Sequence, residues 1–180
     1  MKKSLFLTFV AVLFFSIMGS AHSGVLKNPH LKCISVGHKL TIGPTFGLDT
    51  SRDAKDVFGE TNIAYGNYWW LDVKSVATVE ADFQVYQVVK DSTLKDLFGG
   101  PDSERLSCTN EQMLEFCRKH REWLAKEGSG NIFLVREIGT EPVVVAIGQF
   151  PSRLEGDRYD LSNNHILHAR HKHRIIVPEQ

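Results

Sequence analysis

The stretch from Tyr65 to Val89, YGNYWWLDVKSVATVEADFQVYQVV, decides the fold class. Trp69, Leu71 and Val73 alternate with Trp70, Asp72 and Lys74, and then Val79, Ala81, Phe83 and Val85 alternate with Glu80, Asp82 and Gln84. Successive side chains of an extended chain point to opposite faces, so a period of two predicts a pair of antiparallel strands with one face buried. Each large aromatic removes roughly 150–250 Å² from water, at most about 4–6 kcal/mol of transfer energy, which makes a sheet the core.

Working outward, the elements expected around this hairpin are helices. Thr50 or Ser51 is placed to cap a short helix running to Phe58, with Asp53 and Asp56 in its early turns and Gly59 as a left-handed stop. The motif Lys55-Asp56-Val57-Phe58-Gly59 recurs 40 residues later as Lys95-Asp96-Leu97-Phe98-Gly99, either as a true duplication or as two similar helix ends. A longer helix is expected from Asn110 to about Lys126, opened by a Thr109/Gln112 capping box and closed near Gly128. Met113, Phe116, Cys117, His120, Trp123 and Leu124 form its apolar stripe, so His120 reads as a core histidine; Glu115 with Lys119 and Glu122 with Lys126 pair on the outer face.

Residues 131–138 and 143–150 read as a second hairpin turning at Gly139-Thr140-Glu141-Pro142, its VVVAIG strand apolar on both faces as in the middle of a sheet. Leu31 to Val36 reads as a weak strand, Ser152 to Asn164 as a polar surface loop, and Ile175 to Val177 as a last edge strand. The expected architecture is an α+β domain, an antiparallel sheet covered on one face by one longer helix and two short helices.

Lys2 and Lys3, an apolar run from Leu5 to Met18 and the small residues Gly19-Ser20-Ala21 have the layout of a signal peptide cleaved after Ala21 or Ser23. The run is short for a membrane span of about 20 residues, an uncleaved N-terminal anchor being the alternative reading. Cleavage at Ala21 leaves residues 22–180 as one domain, located in the periplasm or secreted, with no membrane span. The chain carries 21 basic and 21 acidic residues, and removal of Lys2 and Lys3 leaves 19 against 21, which disfavours nucleic acid and anionic membranes as partners.

Cys33, Cys108 and Cys117 match no metal spacing. With Cys117 inside a helix that starts just after Cys108, the two lie over about 10 Å apart, so a disulfide would join Cys33 to one of them; alternatively all three are small buried hydrophobes. No G-x-S-x-G, Walker loop or H-E-x-x-H is present, and a Cys-His-Asp set of Cys108 or Cys117 with His165 and Asp160 lacks a local nucleophile signature.

Chemistry concentrates in HILHARHKH, where His165, His168, His171 and His173 fall within nine residues. Imidazoles at this density suit Zn²⁺, Cu²⁺ or Ni²⁺, with Asp157 and Asp160 as oxygen donors, although Arg170, Lys172 and Arg174 oppose a cation. An ordinary solvated basic tail is the more common reading of such residues, and a patch that gains charge on acidification and binds an acidic partner stands between the two. Tyr68 and Trp70, outward on the first strand, together with Arg153 and Arg158, form the candidate partner-binding surface; the aromatics read otherwise as core.

The stretch TIGPTFGLDTSRDAKDVFGETN, residues 41–62, resembles the entry motif of small exported proteins of the SmpA/OmlA type and, more distantly, of β-lactamase inhibitory protein-like domains. In that motif a strand leads through a glycine to a threonine-capped helix and a closing Leu-Gly before an antiparallel sheet. Thr50 would be the cap, Ala54 and Phe58 the inward positions and Gly59 the closing glycine; STLKDLFGGPD, residues 92–102, is similar to the same closing element. The chain departs from the family in lacking a lipid-attachment cysteine after the cleavage region, and in placing its long helix after the second closing glycine. These families bind proteins and catalyse nothing, so the resemblance implies a protein-binding module. The expected function is that of an exported non-enzymatic binding protein (inhibitor, immunity or envelope accessory protein) or, alternatively, a divalent-metal-binding protein using the histidine cluster.

Overall fold

The computed structural model describes residues 26–47, 54–59, 75–100, 103–126, 128–136, 138–139, 141–151 and 153–179. The leader, Thr50 and Ser51, and the first strand of the expected hairpin with Tyr68, Trp69 and Trp70 lie outside them. The fold mixes helix with a mostly antiparallel sheet. Strands β1 (Leu31–Cys33), β2 (Leu40–Ile42), β3 (Ala81–Val88), β5 (Gly130–Val135), β6 (Val143–Gln149), β7 (Leu154–Tyr159) and β9 (Arg174–Pro178) form one sheet in the order β1-β3-β9-β5-β6-β7, with β2 also on β3. Short strands β4 (Ser92–Thr93) and β8 (Ile166–Leu167) pair separately.

Alternation along β3 sorts its residues as a strand requires, but both faces are buried. Phe83 and Val85 join one apolar cluster, with Leu40, Ile42, Phe133, Val135, Val145 and Ile176; Tyr86 and Val88 join another, with Ile132, Leu134, Val144, Ile175 and Val177. Odd and even positions of every long strand divide between the two clusters in this way, so the sheet has a core on each side. Helices α1 (Lys55–Phe58) and α3 (Asn110–Lys119) cover the first side, and α2 (Leu94–Phe98) covers the second. The helices therefore do not share one face. A sheet this apolar on both surfaces needs cover on both.

The two Phe-Gly helix ends bury Phe58 and Phe98 alike, yet on opposite sides of the sheet. Thr93 caps α2 in a capping box with Asp96, whereas α1 starts at Lys55 with Ala54 as its N-cap and no side-chain cap. Gly59 has the left-handed φ of 83° expected of a stop; Gly99, at −75°, does not.

Helix α3 has the predicted Thr109/Gln112 capping box and buries Met113, Phe116 and Cys117, but it ends at Lys119 rather than near Lys126. His120 leaves helical geometry at φ −124°, its ring against Phe116 and its Nε2 3.3 Å from the Thr41 carbonyl, and a 3-10 turn follows at Arg121–Trp123. Buried Asn131 grips the next segment, accepting from the Ala125 N–H at 2.5 Å and donating to the Ala125 and Ile147 carbonyls. These tertiary anchors break a pattern that no glycine or proline interrupts.

The edges also differ from expectation. Val79 is 81% exposed because β3 begins at Ala81. The link after β5 spans residues 136–142, wider than a four-residue turn. The polar stretch from Ser152 contains β7, which pairs with β6 from Val144↔Tyr159 to Gln149↔Leu154; strand pairing satisfies a polar edge as well as an apolar one. The last strand, β9, is central, antiparallel to β3 and parallel to β5. Its Ile175, Ile176 and Val177 are all buried, the signature of a strand with cover on both faces. Ile176→Ala should lower unfolding free energy by about 2–5 kcal/mol in urea titrations with unchanged m-value, and Thr109→Ala by about 1 kcal/mol.

Candidate functional site

The topology decides where the histidines sit. The chain leaves β7 at the sheet edge and re-enters at β9, so residues 160–173 must cross over β6 and β5. They cross on the α2 side, where Leu167 is buried with Leu94, Ile132 and Val144. This brings all four histidines together: His165, His168, His171 and His173 line one open cleft of about 520 Å³ with Gly128, Asn164 and Ile166.

Each imidazole has a distinct partner. His168 Nδ1 donates to Asp91 Oδ2 at 2.9 Å, and the Ala169 N–H donates to Asp91 Oδ1 at 2.8 Å; the His168 ring, then this N–H, hold Asp91 below the usual carboxylate range. Arg170 Nε donates to His171 Nε2 at 3.1 Å. The Gly130 N–H donates to His173 Nδ1 at 2.9 Å, which leaves the proton of the neutral ring on Nε2. Burial, followed by the charges of His171 and His165, lowers the His173 pKa and keeps that ring neutral. His165 stacks on Tyr159, centroids 6.4 Å apart and planes within 15°.

Beneath the cleft lies a pocket of about 160 Å³ on the second core, lined by Leu94, Ile132, Val144, Ala146 and Leu167, with Tyr159, His165 and His173 at its rim. Gly130 also borders it, and a Cβ there would stand 3.2 Å from Ile132 Cδ1 and 3.3 Å from His173 Nδ1. Apolar walls with a few convergent polar groups are the usual composition of a ligand site. Sequence reading found the histidines but not this pocket, whose walls come from four separate elements, α2, β5, β6 and β8.

For a metal ion the arrangement is less suited than the spacing predicts. The centroids of His168 and His171 are 6.1 Å apart and those of His171 and His173 5.7 Å, yet no group of three His, Cys, Asp or Glu among the described residues is arranged to hold a cation. The chemistry agrees, since a ligand nitrogen needs a free lone pair, and those of His171 Nε2 and His173 Nδ1 already accept N–H donors. Only His168, oriented by Asp91, has the carboxylate-imidazole arrangement typical of a metal ligand.

The remaining candidates do not converge on this cleft. Arg153 pairs with Glu155 at 2.5 Å and stands over the Phe150 ring. Arg158 pairs in register with Val145 and faces the α1 and α3 side. Cys108 and Cys117 are buried on that side, and burial pushes both thiols up to about 12, which disqualifies them as nucleophiles at neutral pH. Cys33 packs on the other side, so the sheet itself separates it from both, and all three thiols are free.

In the native protein a maleimide should label Cys33 alone, and all three cysteines after unfolding; labelling of Cys117 without denaturant contradicts the packing. Acid sensitivity follows from His173. The unfolded chain protonates near the ordinary value of 6.5 while the folded ring resists, so stability is full above that pH and declines below it. His173→Gln, which keeps an acceptor for the Gly130 N–H, should flatten the pH dependence of unfolding free energy between about pH 6.5 and pH 5.

The chain matches no protein-family model, no curated protein and no solved structure.

Proposed function

We propose that this chain is an exported, non-enzymatic binding protein of the inhibitor, immunity or envelope-accessory kind, which receives part of a protein partner in the histidine-lined cleft. The observation that carries this reading is the join between an open polar cleft and an apolar pocket, which share His165 and His173. Such a combination offers both buried apolar area and orienting polar contacts. Export is supported by the Lys2-Lys3 start, the apolar run and the Gly19-Ser20-Ala21 exit. Tyr68 and Trp70 with Arg153 and Arg158 form a second proposed contact region. The likeness of the two Phe-Gly segments to SmpA/OmlA-type domains points to the same class of function.

The test is site-specific photocrosslinking in the native host. A p-benzoylphenylalanine at Ile166, a half-exposed residue lining the cleft, should trap one discrete protein adduct, while the same group at exposed Val36 should not. Absence of an adduct at Ile166 sinks the reading.

A metal-binding reading is favoured by the Asp91-oriented His168 in a cleft with three further imidazoles. Calorimetric titration with Zn²⁺ and Cu²⁺ separates the two. Under the leading proposal no micromolar site is found; micromolar binding that disappears when His165, His168, His171 and His173 are all changed to Ala would establish the metal function.

A further inference from the structure

We infer that the pocket beneath His165 and His173 receives the apolar carboxyl-terminal residue of a polypeptide, with the terminal carboxylate held on the rim. The inference rests on the protein-binding reading and names what is bound.

Size sets the first limit. A cavity of about 150 Å³ lined by Leu, Ile and Phe holds benzene, and this pocket of about 160 Å³, with Leu94, Ile132, Val144, Ala146 and Leu167 as walls, matches a single Leu or Phe side chain. The rim sets the second. His173 Nδ1 is occupied by the Gly130 N–H, so its Nε2–H is a donor, and neither this atom nor the His165 ring nitrogens has a protein hydrogen-bond partner among the described residues. Tyr159, stacked on the His165 ring, lines the pocket with them. A group that seats in the pocket meets donors at its mouth, and a carboxylate is the acceptor that gains most from them.

Charge is consistent with an anion. Exposed Arg170 and Lys172 lie within the crossover, and Asp91 is already engaged by His168 and Ala169. Asp157, on the same face of β7 as Tyr159, opposes them and disfavours a carboxylate on the strand side of the mouth. A free small acid would occupy the pocket and leave the cleft of about 520 Å³ empty, whereas a chain terminus fills both, its last side chain inward and its preceding residues along the imidazoles.

The experiment is calorimetric titration of the purified protein with three probes: acetyl-Gly-Ser-Gly-Phe as the free acid, the same peptide amidated, and 3-phenylpropionate. The free-acid peptide should bind, and the amide should bind at least about tenfold more weakly, the loss of one charge-assisted hydrogen bond. Ala146→Leu, which fills the pocket, should abolish binding; His165→Gln, at an exposed position that leaves the core untouched, should weaken it about tenfold. Equal binding of acid and amide overturns the carboxylate contact, and 3-phenylpropionate binding as tightly as the peptide overturns the chain-terminal source. Unchanged affinity in both variants overturns the location. If no peptide binds while the photo-adduct at Ile166 persists, this inference alone fails; if the adduct is absent, the protein-binding reading fails with it.

Discussion

The structure depends on the pairing of β9 on both of its edges. Strands β1, β2 and β3 form one group and β5, β6 and β7 another, and within the described sheet the two meet only through β9, antiparallel to β3 and parallel to β5. The last strand among the described residues thus closes a sheet whose other members lie earlier in the chain. Ile176 places its side chain in one core while Ile175 and Val177 place theirs in the other, so one short strand ties together both apolar clusters as well as both halves of the ladder.

Placing β9 in the middle constrains what precedes it. A chain that leaves at the β7 edge and must reach the centre has to cross two strands, and the crossing segment is the one that carries the histidines. Polar contacts then pin it: Asp91 holds His168 and Ala169, Ser129 donates to the His171 carbonyl, and the Gly130 N–H holds the His173 ring. The cleft is therefore a by-product of topology that the side chains have furnished. Two of the four rings, His171 through Arg170 and His173 through Gly130, have their lone pairs occupied by N–H donors, whereas His168 donates to Asp91 and keeps its other nitrogen free.

On the opposite face the helices are joined by charge. Arg118 reaches Asp56 on α1 at 2.6 and 2.8 Å and Glu115 on its own helix at 2.8 Å; the Arg118 side chain holds Asp56 below the usual carboxylate range. Asp56 is largely exposed, so the pair orients α1 more than it stabilises the fold. Stability comes mainly from the aromatic contacts beneath, where Phe116 packs against Phe83 and Phe133 at centroid distances of 5.5 and 5.8 Å.

Local chemistry made several elements legible in the residues alone: the strand through Phe83 and Val85, the Thr109/Gln112 capping box, the buried stripe of α3, the central apolar strand VVVAIG and the density of histidines all follow from short-range period, capping or composition. What depended on distant partners could not be read in this way. The end of α3 is set by Thr41 and Asn131, β7 forms because β6 offers it a ladder, α2 lies across the sheet from α1 because both faces are apolar, and β9 is central because two strands flank it. The sequence by itself determined which segments could be helix or strand and which side chains could do chemistry. Only the tertiary structure decided which of them meet, because hydrogen-bond ladders and apolar faces choose among partners that no local pattern records.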